Sequence, residues 1–234
     1  MKHILFTGDS HLGALKRAFT LDSSLEEAPL TFWPLGKGGG TRELFFESDS
    51  GFVKTNCPHW RNRVYSEETL SSISEDMLLV VSLPMNTSRI LRDHNWVRHA
   101  PWRLAHEEIA LSDAVISALI EQDSQHCLSF VSALRDVWNH VAVLEAPRLF
   151  GNASYLSRTR LDICTYVDAS YRAQVSGRLS DEGIDIIPQP SETIGENGTT
   201  DLMFDHENND DDHHANAKYG LIALRAVIDY AKSG

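Results

Sequence analysis

Seven consecutive residues, Met77-Leu78-Leu79-Val80-Val81-Ser82-Leu83, constrain this chain more than any other stretch. The run is apolar almost throughout and does not alternate. A strand of this kind is covered on both faces, as the inner strands of parallel sheets are. Shorter runs resemble it. Lys2 to Thr7, Leu30 to Leu35, Val141 to Leu144 and Ile184 to Ile187 are further strand candidates. Between them lie segments with helical spacing. Leu12 to Phe19 is one. Leu104 to Gln122 and Leu128 to His140 predict two more, Tyr155 to Ser176 another, and Ala215 to Lys232 a terminal one. Strands alternating with helices imply an α/β domain with a mainly parallel sheet. Residues 1–234 show no repeat and no linker, so a single domain is expected.

In such a sheet, ligands bind outside the carboxyl ends of the strands. The polar punctuation falls at those ends. Thr7-Gly8-Asp9-Ser10-His11 follows the first strand, Gly36-Lys37-Gly38-Gly39-Gly40-Thr41 the second, and Pro84-Met85-Asn86-Thr87 the third. The loop after the last strand, 191–212, is long and polar and predicts little regular structure. It leads into Asp211-Asp212-His213-His214-Ala215-Asn216. Taken alone, Gly-Asp-Ser is a helix cap and the acidic cluster a solvated loop. A packed core gives no reason for all of them to share one edge.

The residue types on that edge suit acyl transfer. A serine hydroxyl becomes a nucleophile when a base takes its proton. His214 is a candidate base for Ser10, and Asp211, three residues earlier, could hold the other ring nitrogen and fix the tautomer. An oxyanion needs preorganised donors. The backbone N–H of Ser10, a backbone N–H of the glycine loop and the amide of Asn86 are the candidates. The glycine loop fails the P-loop pattern, because Lys37 is followed by glycine. It is either a turn or a place where backbone comes close to a ligand.

These blocks together resemble the SGNH (GDSL-like) hydrolase superfamily. Gly8-Asp9-Ser10 and Asp211-x-x-His214, with Ala215-Asn216-Ala217-Lys218-Tyr219-Gly220 after it, are similar to the opening and closing blocks of bacterial members. The resemblance implies a three-layer α/β/α sandwich with a flavodoxin-like five-stranded sheet. It implies Ser10 as nucleophile, His214 as base, Asp211 as its orienter, and Ser10, Gly39 and Asn86 as the oxyanion hole. Asp210 and His213 have the same spacing as the chosen pair, but only His214 gives His-x-Asn with Gly220 six residues on. The chain departs from the family in two blocks. His11 occupies a place where Leu or Tyr is common, which makes it a candidate substrate-facing residue. Leu83-Pro84-Met85-Asn86-Thr87 lacks the glycine and aspartate of the usual third block. The absence of Gly-x-Ser-x-Gly around Ser10 argues against an α/β-hydrolase-fold lipase.

The expected activity is a serine esterase or deacylase acting on a small acyl or O-acetyl ester, without a cofactor. Two alternatives are acyl transfer to a sugar hydroxyl and a non-catalytic domain that binds a glycan or acyl ligand. A third is a divalent metal held by the carboxylates and histidines of 205–213 and His214. Trp96 and Trp102 lie in a stretch rich in Arg, His and Trp between Arg89 and Trp102. They either face a sugar or fill space. The net charge of −12 disfavours nucleic acid and anionic membrane surfaces as partners. No apolar run approaches the roughly 20 residues of a membrane span. Cys57, Cys127 and Cys164 form neither a disulfide framework nor a zinc spacing. With no secretory h-region at the start, a cytoplasmic location is expected.

Overall fold

The computed structural model describes residues 2–57, 61–208 and 211–233. Its elements, in order, begin with β1 (His3–Gly8), α1 (Leu12–Leu21) and β2 (Leu30–Pro34). Then come β3 (Phe46–Asp49), β4 (Phe52–Thr55), β5 (Val64–Ser66), α2 (Glu67–Ser71) and β6 (Met77–Val81). The middle of the chain forms α3 (Ser88–Asp93), β7 (His99–Pro101), β8 (Ile109–Leu111) and α4 (Asp113–Val137). The last part forms β9 (Val141–Leu144), α5 (Leu161–Asp181), β10 (Asp185–Ile187) and α6 (Ala217–Ser233).

The central sheet has the order β10-β9-β6-β1-β2, and every pairing in it is parallel. Counted along the chain, its strands lie in the 2-1-3-4-5 order of flavodoxin-like folds. The alternation that sequence could not show is explicit in the packing. Leu5, Leu79, Val81 and Val143 face the layer of α4 and α5. Ile4, Phe6, Leu78, Val80 and Leu144 face α1 and α6. Both faces are dry, which is why the strands read as unbroken apolar runs.

Four sequence expectations change. The two helices placed at Leu104–Gln122 and Leu128–His140 are one helix, α4, starting at Asp113. Nothing between Gln122 and Leu128 breaks a helix, and Ser112 caps its start by accepting from the Val115 N–H at 3.3 Å. Residues before it form β8, paired with β7. Residues 51–65 read as irregular in sequence apart from a small hairpin around Phe52-Val53, yet they supply β4 and most of β5 to a three-stranded antiparallel sheet. The helix expected from Tyr155 begins only at Leu161, after a single 3₁₀ turn at Ser154–Ser157. The described part of the 191–212 loop is more ordered than its composition suggests. It holds 3₁₀ turns at Ser191–Thr193 and Leu202–Phe204, and Thr200 bridges to Phe150 and Ile194.

The two ends of the chain meet through α1 and α6. Gly220 permits it. A Cβ there would stand 2.1 Å from the carbonyl oxygen of Ala14, so the helix backbones touch with no side chain between them. Arg17 adds a bond of 2.7 Å from its Nη2 to the carbonyl of Ala215. Gly220→Ala is therefore expected to destabilise the protein by about 1–3 kcal/mol or more, since backbone cannot give way as a side-chain tip can. Urea unfolding of the two forms measures this, and an unchanged midpoint would contradict the packing.

Candidate active site

Ser10 emerges where β1 breaks into α1. Gly8 has φ of +142°, and a Cβ on it would lie 2.1 Å from Ser82 Oγ, so the turn accepts only glycine. Asp9 points inward and is 1% exposed. Its Oδ1 accepts from the His11 backbone N–H at 3.0 Å, and its Oδ2 from Asn86 Nδ2 at 3.2 Å. Burial raises its pKa, opposed by these bonds and by the charges of His214 and Arg89. Ser10 itself is left facing outward at the sheet edge.

The residue that meets it is 204 positions away. His214 Nε2 lies 2.7 Å from Ser10 Oγ. On the other side of the ring, Nδ1 lies 2.8 Å from both carboxylate oxygens of Asp211. Asp211 Oδ1 also accepts the backbone N–H of His214 at 3.1 Å, so the same carboxylate shapes the turn and holds the ring. Burial pushes the Asp211 pKa up, but the hydrogen bond and charge of His214 outweigh it and hold it at about 2. Asn216 starts α6, its Oδ1 accepting from the N–H groups of Lys218 and Tyr219 at 3.0 and 3.2 Å. Asp210, the competing partner for His213, lies outside the described residues.

Ser10, His214, Gly38, Gly39 and Asn86 border one cavity of about 480 Å³. Its floor includes Leu83, Pro84, Cys127 and Tyr171. Of the glycines, it is Gly38 that packs at the site. A Cβ on Gly38 would be 3.1 Å from Asp9 Oδ2 and 3.6 Å from Asn86 Nδ2, whereas one on Gly39 would meet nothing within 4 Å. Asn86 is fixed by its own oxygen, which accepts from the N–H and hydroxyl of Ser88 at 3.0 and 2.8 Å.

Three residues proposed as substrate-facing do not line this cavity. His11 is 6% exposed and sits behind the edge that carries Ser10, its ring centroid 4.9 Å from that of His214. Burial first, and then the neighbouring His214 and His213, hold its pKa well below the usual histidine value. Trp96 is 1% exposed and belongs to the core, its indole N–H donating to the Ile90 carbonyl at 2.9 Å. Trp102 is exposed, but it reaches toward Asp113 on α4.

A layer that sequence reasoning missed lies under the glycine loop. Arg89 pairs with Asp123 through Nε at 2.6 Å and Nη2 at 2.8 Å. Its Nη1 reaches Thr41 Oγ1 and lies 3.5 Å from the Gly38 carbonyl, while Thr41 Oγ1 donates to that carbonyl at 2.8 Å. Tyr171 donates to Asp123 Oδ2 at 3.1 Å. The signal was present in the sequence: Asp123 falls between Ile120 and Cys127, on the apolar face of α4. The cavity-floor thiol of Cys127 is pushed up to about 12 by burial and stays protonated at neutral pH.

No family model matches the chain, and no curated protein matches it in sequence. Solved structures do match in fold. One, provisionally described as a platelet activating factor from Streptococcus pneumonia, aligns at TM-score 0.53 and 9% identity over 98% of this chain and 84% of its own. An acetylxylan esterase from Geobacillus stearothermophilus aligns at TM-score 0.48 and 9% identity, over 98% and 94%. A GDSL-like lipase from Bacteroides thetaiotaomicron aligns at 0.46 and 14%, over 99% and 88%. The chain shares the α/β fold of the first of these structures, with its parallel five-stranded sheet between two helical layers. No helix among the described residues is long and apolar enough to cross a membrane.

The Arg89–Asp123 pair is largely buried, with side-chain exposures of 14% and 10%. Arg89→Met strands the carboxylate and is expected to cost about 3–5 kcal/mol, most of it recovered in Arg89→Met/Asp123→Leu. Denaturant midpoints of the single and double variants check this, and equal losses in both would contradict it.

Proposed function

We propose that this protein is a serine esterase of SGNH type that hydrolyses a small acyl or O-acetyl ester through Ser10, His214 and Asp211. One observation carries the proposal: a single imidazole reaches Ser10 Oγ at 2.7 Å with one nitrogen and Asp211 at 2.8 Å with the other. A binding domain has no use for a carboxylate that fixes a histidine tautomer. The esterase and lipase neighbours agree with this reading in their described activities.

The chemistry follows from the bonds. Asp211 accepts the Nδ1–H of His214, which leaves the Nε2 lone pair facing the Ser10 hydroxyl. His214 takes that proton as Ser10 Oγ attacks the acyl carbon. The carbonyl oxygen becomes an oxyanion, stabilised by the Ser10 N–H, the Gly38–Gly39 backbone and Asn86 Nδ2. Asn86 uses one amide hydrogen on Asp9 and keeps the other for the substrate. His214 then passes its proton to the departing alkoxide. Water, deprotonated by the same nitrogen, releases the acid from the acyl-serine. The apolar cavity floor of Leu83, Pro84 and Cys127 suits a short acyl group.

An ester panel from acetyl to octanoyl, with acetylated sugars, tests the reading. Short esters should turn over, Ser10→Ala should abolish turnover, and Asp211→Asn should lower kcat about 10³- to 10⁴-fold with little change in KM. Turnover that survives Ser10→Ala would overturn the assignment.

A further inference from the structure

Beside the triad stands a histidine to which the esterase chemistry gives no task. His213 packs against His214, with ring centroids 3.9 Å apart and the planes tilted by 41°. Its Nδ1 is buried and makes no hydrogen bond among the described residues, yet it lies 3.1 Å from Asp211 Oδ1. A neutral imidazole offers the lone pair of one ring nitrogen as a ligand. One ligand atom from each of Asp211, His213 and His214 lies within 4.8 Å of the others.

We propose that Asp211, His213 and His214 form a zinc site whose occupation switches the triad off. In a tetrahedral zinc site with bonds of about 2.0–2.2 Å, neighbouring ligand atoms stand roughly 3.3–3.6 Å apart. The two Asp211–histidine separations, 2.8 and 3.1 Å, open to that range with shifts of about half an ångström. Two imidazoles and a carboxylate suit zinc, whereas calcium and magnesium favour all-oxygen sets. Water completes the coordination.

The inhibition follows from proton bookkeeping. In the active form His214 carries its proton on Nδ1 and offers the Nε2 lone pair to Ser10. Zinc needs the Nδ1 lone pair. The proton moves by way of solvent to Nε2, the ring stays neutral, and zinc takes the place of the Nδ1–H···Asp211 bond. Nε2 is now a donor to Ser10 Oγ and cannot accept its proton. The metal thus holds the tautomer that Asp211 alone prevents. Arg92 is paired with Asp212, the residue between Asp211 and His213, so the turn is anchored while the metal binds.

This inference rests on the esterase reading for its effect on rate, but not for binding. Two measurements separate them. Zinc titrated into metal-free protein should raise the melting temperature in wild type and in Ser10→Ala alike. Cobalt(II) should give the visible bands of a tetrahedral site. His213→Gln should weaken binding by about tenfold or more, since losing a ligand does at least the harm of losing an outer-shell partner. In the active enzyme, zinc should suppress ester turnover, EDTA should restore it, and calcium and magnesium should leave it unchanged. His213→Gln, compared with its own zinc-free rate, should resist zinc. Binding that His213→Gln does not weaken, or equal inhibition of that variant, would overturn the site. Zinc binding to a protein inactive on every ester would keep the site and refute the esterase reading.

Discussion

The contact of α1 with α6 is the constraint on which the site depends. Ser10 lies just before the first helix and His214 just before the last, 204 positions apart. Backbone-to-backbone contact at Ala14 and Gly220 brings these two helices together. A side chain at Gly220 would push α6 outward by an ångström or more, which is larger than the tolerance of a hydrogen bond of 2.7 Å. The parallel sheet supplies a rigid edge on one side of this contact. Arg17 and Asn216 supply the fastening on the other. The approach of His214 to Ser10 follows from helix packing.

The second dependence is electrostatic. The edge gathers Asp9, Asp211, His11, His213 and His214 into a few ångströms, and burial and neighbouring charge keep them from ionising together. Asp9 is pushed up, His11 and His213 are pushed down, and Asp211 is held anionic by the ring it supports. His214 alone is placed between a carboxylate and a hydroxyl. The glycine loop gains its rigidity from another buried charge pair, Arg89 with Asp123, which joins the loop to α4. Since the partners of that pair come from distant elements, its loss would be felt at Gly38.

The parts of the fold with strong periodicity were legible in the sequence. All five strands of the parallel sheet were, because strands dry on both faces have no polar residues to blur them. The positions of Ser10, Asp211 and His214 on one edge followed from chain order alone. What escaped reading was tertiary. The division of α4 in two was an error of pattern, since Asp123 interrupts the apolar stripe only because it meets Arg89. His11 reads as a candidate substrate-facing residue and Trp96 as one that either faces a sugar or fills space, and both are buried. Aromatic rings look alike in sequence whether they meet a sugar or a core. The spacing of four glycines between residues 36 and 40 could not say which one faces Asn86, since that is decided by where Asp9 turns inward.

In the proposed mechanism Ser10 is a nucleophile because His214 takes its proton. Reaction of the folded protein with a fluorophosphonate, followed by intact mass and peptide mapping, reads this step. A single adduct on Ser10 is expected, formed far more slowly in His214→Ala. No adduct on folded protein, an adduct on another residue, or labelling at the wild-type rate without His214 would contradict it.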